Sequence, residues 1–371
     1  MCFPIPSDLA EIVHRLFFQK YKMYIQATAG ISPQPSFSVL LTEPAVYAGN
    51  RLNCIEPDYA QLIDPKMIRR MSRIIKMGVA AAMDCLKIAA TEMPGAIITG
   101  TAYGCLADTE VFLTKMVENN EELLTPTAFI QSTHNTVGAQ IALLLKCHNY
   151  NNTFVHRGFS FESALLDAIT LMKEQQADNA LVGGIDELTN TSFSLLSRFG
   201  LYKKNIADNT VLYNSNSKGT IAGEGAAFFL LAAQPSGNDY AQLNGIYTFY
   251  KPGSIAEIEK NINDFLSAHA IGMNAIDLVI TGHNGNMQDD AVYEQLAQTV
   301  LQGRPVVRFK HLCGEYPTAT AFALWLAANM VKTGLVPSCV VVNPVTIRPR
   351  RILIYNHYQN SHHALYLLSA C

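Results

Sequence analysis

One stretch of this chain is written twice. Ala96-Ile97-Ile98-Thr99-Gly100-Thr101-Ala102-Tyr103-Gly104 returns as Leu278-Val279-Ile280-Thr281-Gly282-His283-Asn284-Gly285-Asn286. Each copy reads as a buried strand ending in Thr-Gly, then a polar glycine loop, then an acid-rich helix start. A second echo pairs the stretch from Ser132 to Ala142 with that from Cys313 to Ala323. Ile98 to Ile280 is a step of 182 residues and Ser132 to Cys313 a step of 181. Two echoes at nearly one offset predict a duplicated α/β unit.

The rest of the sequence suits that prediction. Short apolar runs such as Leu278–Thr281, and Val340–Val342 just after Cys339, read as strands buried on both faces. They alternate with helical stretches over Asp64–Leu86 and Phe161–Gln175, and Ala319–Val331 reads as an alanine-rich core helix. The turn-rich Pro235-Ser236-Gly237-Asn238-Asp239 marks a boundary. It divides the chain into an N-terminal extension over 1–22, a first half over 23–240 and a second over 241–371, packed as inseparable layers. In the extension, Leu9, Ile12, Val13, Leu16 and Phe17 share one helical face. That stretch reads as a docking helix, a membrane-surface helix or residues ahead of the true start.

With 371 residues, 49% apolar and only 15% charged, the chain predicts a large core and a buried subunit interface. A net charge of −3 gives no reason to expect nucleic acid. No segment carries the ~18 consecutive apolar residues of a membrane span. The eight cysteines show no paired spacing and read as reduced thiols of a cytoplasmic protein.

The stretch Phe154-Val155-His156-Arg157-Gly158-Phe159-Ser160-Phe161-Glu162, the helix after it, and a strand ending in Gly183-Gly184 resemble the nucleophile region of the β-ketoacyl-ACP synthases of the thiolase superfamily. Gly223-Glu224-Gly225-Ala226 with its apolar strand, and Thr99–Gly104, resemble other motifs of that family, and the likeness runs from Met23 to the C terminus. The resemblance implies an α/β thiolase fold, a five-layered αβαβα sandwich of two duplicated halves. It also implies that Gly158 stands where the family keeps its nucleophilic cysteine. Glycine cannot accept an acyl group, so the usual covalent step is absent. By the same resemblance His283 matches the first catalytic histidine, Lys310 the family lysine, and Glu315 the second histidine. A carboxylate there would repel a developing enolate, where an imidazole would donate to it. The family's glycine gate is replaced by Asn356-His357-Tyr358-Gln359-Asn360-Ser361-His362-His363.

This pattern resembles the cysteine-less chain-length-factor-like subunits of aryl polyene and flexirubin-type pathways. It implies a heterodimer with a cysteine-bearing ketosynthase, contact with an acyl carrier protein, and no cofactor. The alternatives are a stand-alone acyltransferase or malonyl-ACP decarboxylase using His283 or Ser160, and a homodimeric carrier-protein-binding module. Ser160 reads as a replacement nucleophile or as a helix-start hydroxyl. His156 and Arg157 read as phosphate ligands or as a buried polar network filling the old site. Lys310 and Glu315 read as a buried ion pair. Cys313 reads as a packed thiol or a reactive one. Arg69, Arg70, Arg73 and Lys76 form a candidate carrier-protein patch or a solvated helix face. His362-His363 lacks the supporting ligands of a metal site.

Overall fold

The computed structural model describes residues 22–69, 71–214, 217–342 and 347–371. The reading of the N-terminal extension therefore lies, Lys22 apart, outside the described residues. Strands β1 (Met23–Ile31), β2 (Ala96–Gly100), β3 (Tyr150–Phe154), β4 (Asn179–Asp186) and β5 (Gly225–Ala232) belong to the first half. Strands β6 (Ala241–Tyr250), β7 (Leu278–Thr281), β8 (Val306–Arg308), β9 (Arg351–Tyr358) and β10 (His362–Ser369) belong to the second. They hydrogen-bond in the order β3-β2-β4-β5-β1-β6-β10-β9-β7-β8. Read inward from either edge, the order is the same once five is added to each strand number. The duplication is thus present in the topology. The halves join through a short antiparallel pairing of Met23, Tyr24 and Ile25 with Leu243, Gln242 and Ala241.

The longer helices are α1 (Arg73–Ile88), α2 (Leu106–Glu118), α3 (Thr136–Leu145), α4 (Ser160–Lys173), α5 (Asn190–Arg198), α6 (Ile255–Ala268), α7 (Met287–Ala297) and α8 (Thr320–Thr333). Alternation along the strands sorts side chains between layers. Ile98 and Ile280 face a central core shared with α4 and α8. Ile97 faces an outer core with α1 and α3, and Val279 faces another with α6 and α7. Helices therefore cover both faces of each half and lie between the halves, which gives the five layers of the thiolase fold.

The first echo is structural, since β2 and β7 hold equivalent places. The second is not. Helix α3 lies between β2 and β3, whereas α8 lies between β8 and β9. The topological counterpart of α8 is α4, which lies between β3 and β4. Small residues recur in both stretches because each helix start packs closely, and the matching offset was coincidence.

Three local expectations also need correcting. Asp64–Leu86 is broken into a turn of helix over Pro65–Ile68 and α1, which starts at Arg73. Val340 ends a short 3₁₀ turn, and Val341 makes only an isolated bridge to Val307. The strand of that region is β9, further on. Finally, the expected C-terminal loop is a hairpin: Asn356, His357 and Tyr358 end β9, and His362 and His363 start β10. Gln359 and Asn360 turn it with φ of 52° and 46°, the paired left-handed conformation of a tight hairpin.

Candidate functional site

The chain leaves β3 and enters α4 through a one-turn elbow, Arg157–Phe159. Gly158 is buried at its centre. A first side-chain carbon placed on Gly158 would lie 2.8 Å from Tyr358 Cβ and 3.0 Å from His362 Cβ. The β9–β10 hairpin thus occupies the space a nucleophile would need, and real side chains avoid such approaches. The Phe159 ring packs 4.7 Å from His362 and closes the same spot. Ser160 is fully buried: its Oγ donates to Arg157 O (2.8 Å) and accepts from the His156 N–H (2.8 Å). This hydroxyl is engaged twice in holding the elbow's backbone, the use to which helix starts put serine.

Tyr358 has a second surface. Its residue lines a cavity of about 280 Å³, together with Tyr103, Asp186, Tyr202, Asn284 and Glu315. Gly158, His156, Arg157 and Ser160 do not line this cleft; Tyr358 stands between it and the elbow. His156 and Arg157 are exposed, so they form no buried network in an old acyl pocket.

Two glycines bring the cleft's floor together. The first carbon of any side chain at Gly223 would collide with the Cys313 carbonyl, and Gly314 opposite it has φ of 74°. Backbones this close tolerate only glycine. The crossing holds Glu315, whose N–H donates to Ile221 O (2.8 Å). Lys310 Nζ, fully buried, lies 2.7 Å from Glu315 Oε2, which also accepts from Asn284 Nδ2 (2.9 Å). Burial pushes the Glu315 carboxyl up, while the Lys310 ammonium pulls the other way. An ion pair at this position neutralises itself, and the carboxylate that faces the cleft is an acceptor, not a donor.

His283 points elsewhere. Its Nδ1 is 2.8 Å from Thr281 Oγ1, and its Nε2 is 3.2 Å from Glu294 Oε1 and 3.2 Å from Arg308 Nη2. The ring stacks on Tyr293, and burial lowers its pKa to about 4. It does not line the cleft. Its partners are all side chains. Cys313 is fully buried, with its thiol pushed up by burial, and it lies at the end of a short helical turn over Lys310–Cys313.

Residues 50–199 match the sequence profile of the β-ketoacyl synthase N-terminal domain. No curated protein sequence matches the chain. Among solved structures, the ishigamide ketosynthase/chain length factor superposes with a TM-score of 0.79 at 18% identity, covering 95% of this chain and 100% of that one. A β-ketoacyl synthase from Burkholderia phymatum STM815 superposes with a TM-score of 0.78 at 15% identity, with the same coverages. AntDE:AntF, a type II PKS acyl-carrier protein in complex with its ketosynthase bound to the hexaketide, gives 0.77 at 13%, again covering 95% and 100%. This chain has the thiolase fold of the ketosynthases.

Within this ketosynthase-like frame the expected basic patch dissolves. Arg73 forks onto Glu224 with two contacts of 2.6 Å and also meets Glu56. Glu224 is fully buried and also accepts from the Cys54 and Leu188 N–H groups (2.9 and 3.0 Å). Arg73 is therefore a core-anchoring cation. Lys76 lies over the Tyr59 ring (5.8 Å), Arg69 ends the preceding helical turn, and Arg70 lies outside the described residues. Sequence reasoning also missed Asp186. It accepts from Thr101 and Thr318 hydroxyls (3.0 and 2.8 Å) and ties the two halves together beneath the cleft, and burial raises its pKa to about 6. Its place after Gly183-Gly184 was visible, but its partners lie more than 80 residues away. No three His, Cys, Asp or Glu side chains converge as metal ligands among the described residues, the His362-His363 pair included. None of the described helices is long and apolar enough to cross a membrane.

Proposed function

We propose that this protein is a non-catalytic, chain-length-factor-like subunit. It pairs with a cysteine-bearing ketosynthase in fatty acid or polyketide biosynthesis of the aryl polyene or flexirubin type, in the cytoplasm, and shapes the tunnel in which the acyl chain grows on an acyl carrier protein. In this reading the halves divide at 240/241, and residues 1–22 are an appendage.

The observation that carries the reading is the filled elbow. Gly158 has no side chain, and Tyr358 and His362 take the volume a thiol would need. Supporting it, Glu315 is spent on Lys310, and His283 lies outside the cleft. A decarboxylase or acyltransferase working through His283 or Ser160 gains nothing from this geometry, because both side chains are fully engaged in local structure.

The test is co-expression with the ketosynthase encoded nearest to this chain, followed by native mass spectrometry and a condensation assay on acyl and malonyl carrier-protein thioesters. The expected result is a one-to-one heterodimer with acyl mass only on the partner and no condensation by this chain alone. Acyl mass on this chain, or turnover by it alone, would overturn the reading.

A further inference from the structure

The elbow that closes the old nucleophile position builds a different feature on its outer side. His156 and Arg157 leave the elbow exposed, and Lys251, just beyond the end of β6, is exposed beside them. Between them sits the mostly buried His362, its ring 4.7 Å from Phe159 and 5.0 Å from Tyr250, with the Lys251 ammonium 5.1 Å from the Tyr250 ring. The His156 ring lies 5.6 Å from that of Phe159, edge-on. Three cation-capable side chains therefore ring one imidazole on an aromatic floor. Their convergence is felt electrostatically: after burial, His156, Arg157 and Lys251 each lower the pKa of His362.

Among the described residues no carboxylate neutralises this group. Neither Arg157 nor Lys251 nor His156 meets one among them, whereas Arg73, Lys260, Arg308 and Lys310 each do. Arg157 and Lys251 also hold left-handed backbone, with φ of 49° and 47°. Long side chains rarely adopt it, and it costs stability unless the surroundings impose it. Beside the cations stand an exposed valine, Val155, and an exposed tyrosine, Tyr250. Arginine and tyrosine on a polar rim are the composition of a protein-binding surface, and unpaired cations there favour a partner of opposite charge.

We infer that the His156–Arg157–Lys251 surface around His362 and Tyr250 is a docking site for a carboxylate-rich segment of a protein partner. This deepens the proposed subunit role by naming the surface and the chemistry of what it meets. It replaces the Arg69–Lys76 stretch, whose central cation is consumed by Glu224. The chain as a whole carries a net charge of −3, so an acidic peptide is repelled by the molecule in general and held only where cations are locally unpaired.

The test uses the full chain and fluorescein-labelled octaglutamate, followed by anisotropy at low and at physiological salt, with octalysine as the opposite-charge probe. Arg157→Gly with Lys251→Gly removes both cations and relaxes both left-handed positions, so the variant keeps its fold; circular dichroism checks this. Octaglutamate is expected to bind the natural chain at low salt and to weaken about ten-fold in the double variant, while the distant control Lys87→Gln binds as before. Equal binding by the double variant, or loss in the Lys87→Gln control, overturns the docking surface. The result is independent of the subunit reading: a heterodimer that forms normally while octaglutamate ignores the patch sinks this inference alone. Octaglutamate bound at the patch with no heterodimer sinks only the subunit role.

Discussion

The elbow at Gly158 and the cluster at Lys310–Glu315 occupy related places, each at the loop that leads into a central helix, α4 in one half and α8 in the other. They are built by opposite means. At the elbow the position is closed by packing: Tyr358, His362 and Phe159 fill it, and the Ser160 hydroxyl beside it is bound to backbone. At the second loop charge persists in the interior, and an ammonium and a carboxylate 2.7 Å apart satisfy each other. A buried position can be made solid or self-paired, and the two conditions respond differently to mutation. Filled space punishes additions, whereas paired charge punishes removals.

The sharpest break in that comparison is Lys310→Met. It leaves the Glu315 carboxylate buried without its cation and is expected to cost about 3–5 kcal/mol in urea unfolding. Lys310→Met with Glu315→Gln should recover most of that loss. If the single and double variants were equally unstable, the ion pair would not be what holds this loop.

Next in size is a pH effect from the first turn of α4. Glu162 is buried; its Oε1 accepts from Thr320 and Tyr366 hydroxyls (2.6 and 2.9 Å), while Oε2 has no partner among the described residues. Burial raises its pKa from 4.5 to about 7. A raised carboxyl favours the protonated folded state. Its contribution is complete below the unfolded pKa and is lost as pH rises through the folded one, between about 4.5 and 7. Glu162→Gln should therefore be more stable than the natural protein by up to about 3 kcal/mol at pH 8, a difference that shrinks toward pH 4. Thermal melts of both proteins across this range measure it, and a pH-independent difference would show that Glu162 does not titrate there. Taking the difference removes the opposing trend from His283 and His311, each lowered to about 4.

The smallest effect is expected at the elbow. Gly158→Cys forces a side chain against Tyr358 and His362 and should cost about 1–3 kcal/mol, the penalty of overpacking. Adding Tyr358→Ala makes room and opens the elbow to the cleft. The new thiol should then react with iodoacetamide much faster than in the single variant. Rapid alkylation of the single variant would mean that the hairpin does not close the elbow.

Much of this architecture was legible in one dimension. The Thr-Gly strand echo, the apolar runs and the alanine-stepped helices forecast two related α/β halves, because burial on both faces leaves continuous apolar segments that need no long-range knowledge to read. That residue 158 brings no side chain to the elbow was legible too, since its identity is itself the evidence. Errors arose where local pattern was matched by a different long-range cause. The echo at Cys313–Ala323 reflected helix packing common to many places. The basic run from Arg69 to Lys76 looked free until Glu224, 151 residues from Arg73, claimed its central cation.

By itself, then, the sequence determined the duplicated layering and the absence of a thiol at the elbow. Both depend on residue type and on period along the chain. Tertiary structure alone decided that Tyr358 and His362 fill the empty place, that His283 turns from the cleft to Glu294 and Arg308, and that Arg157 and Lys251 stand around His362 without a counter-charge among the described residues. Each of these is a meeting of segments far apart in sequence, and packing and charge pairing act on distance in space, which composition and spacing do not encode.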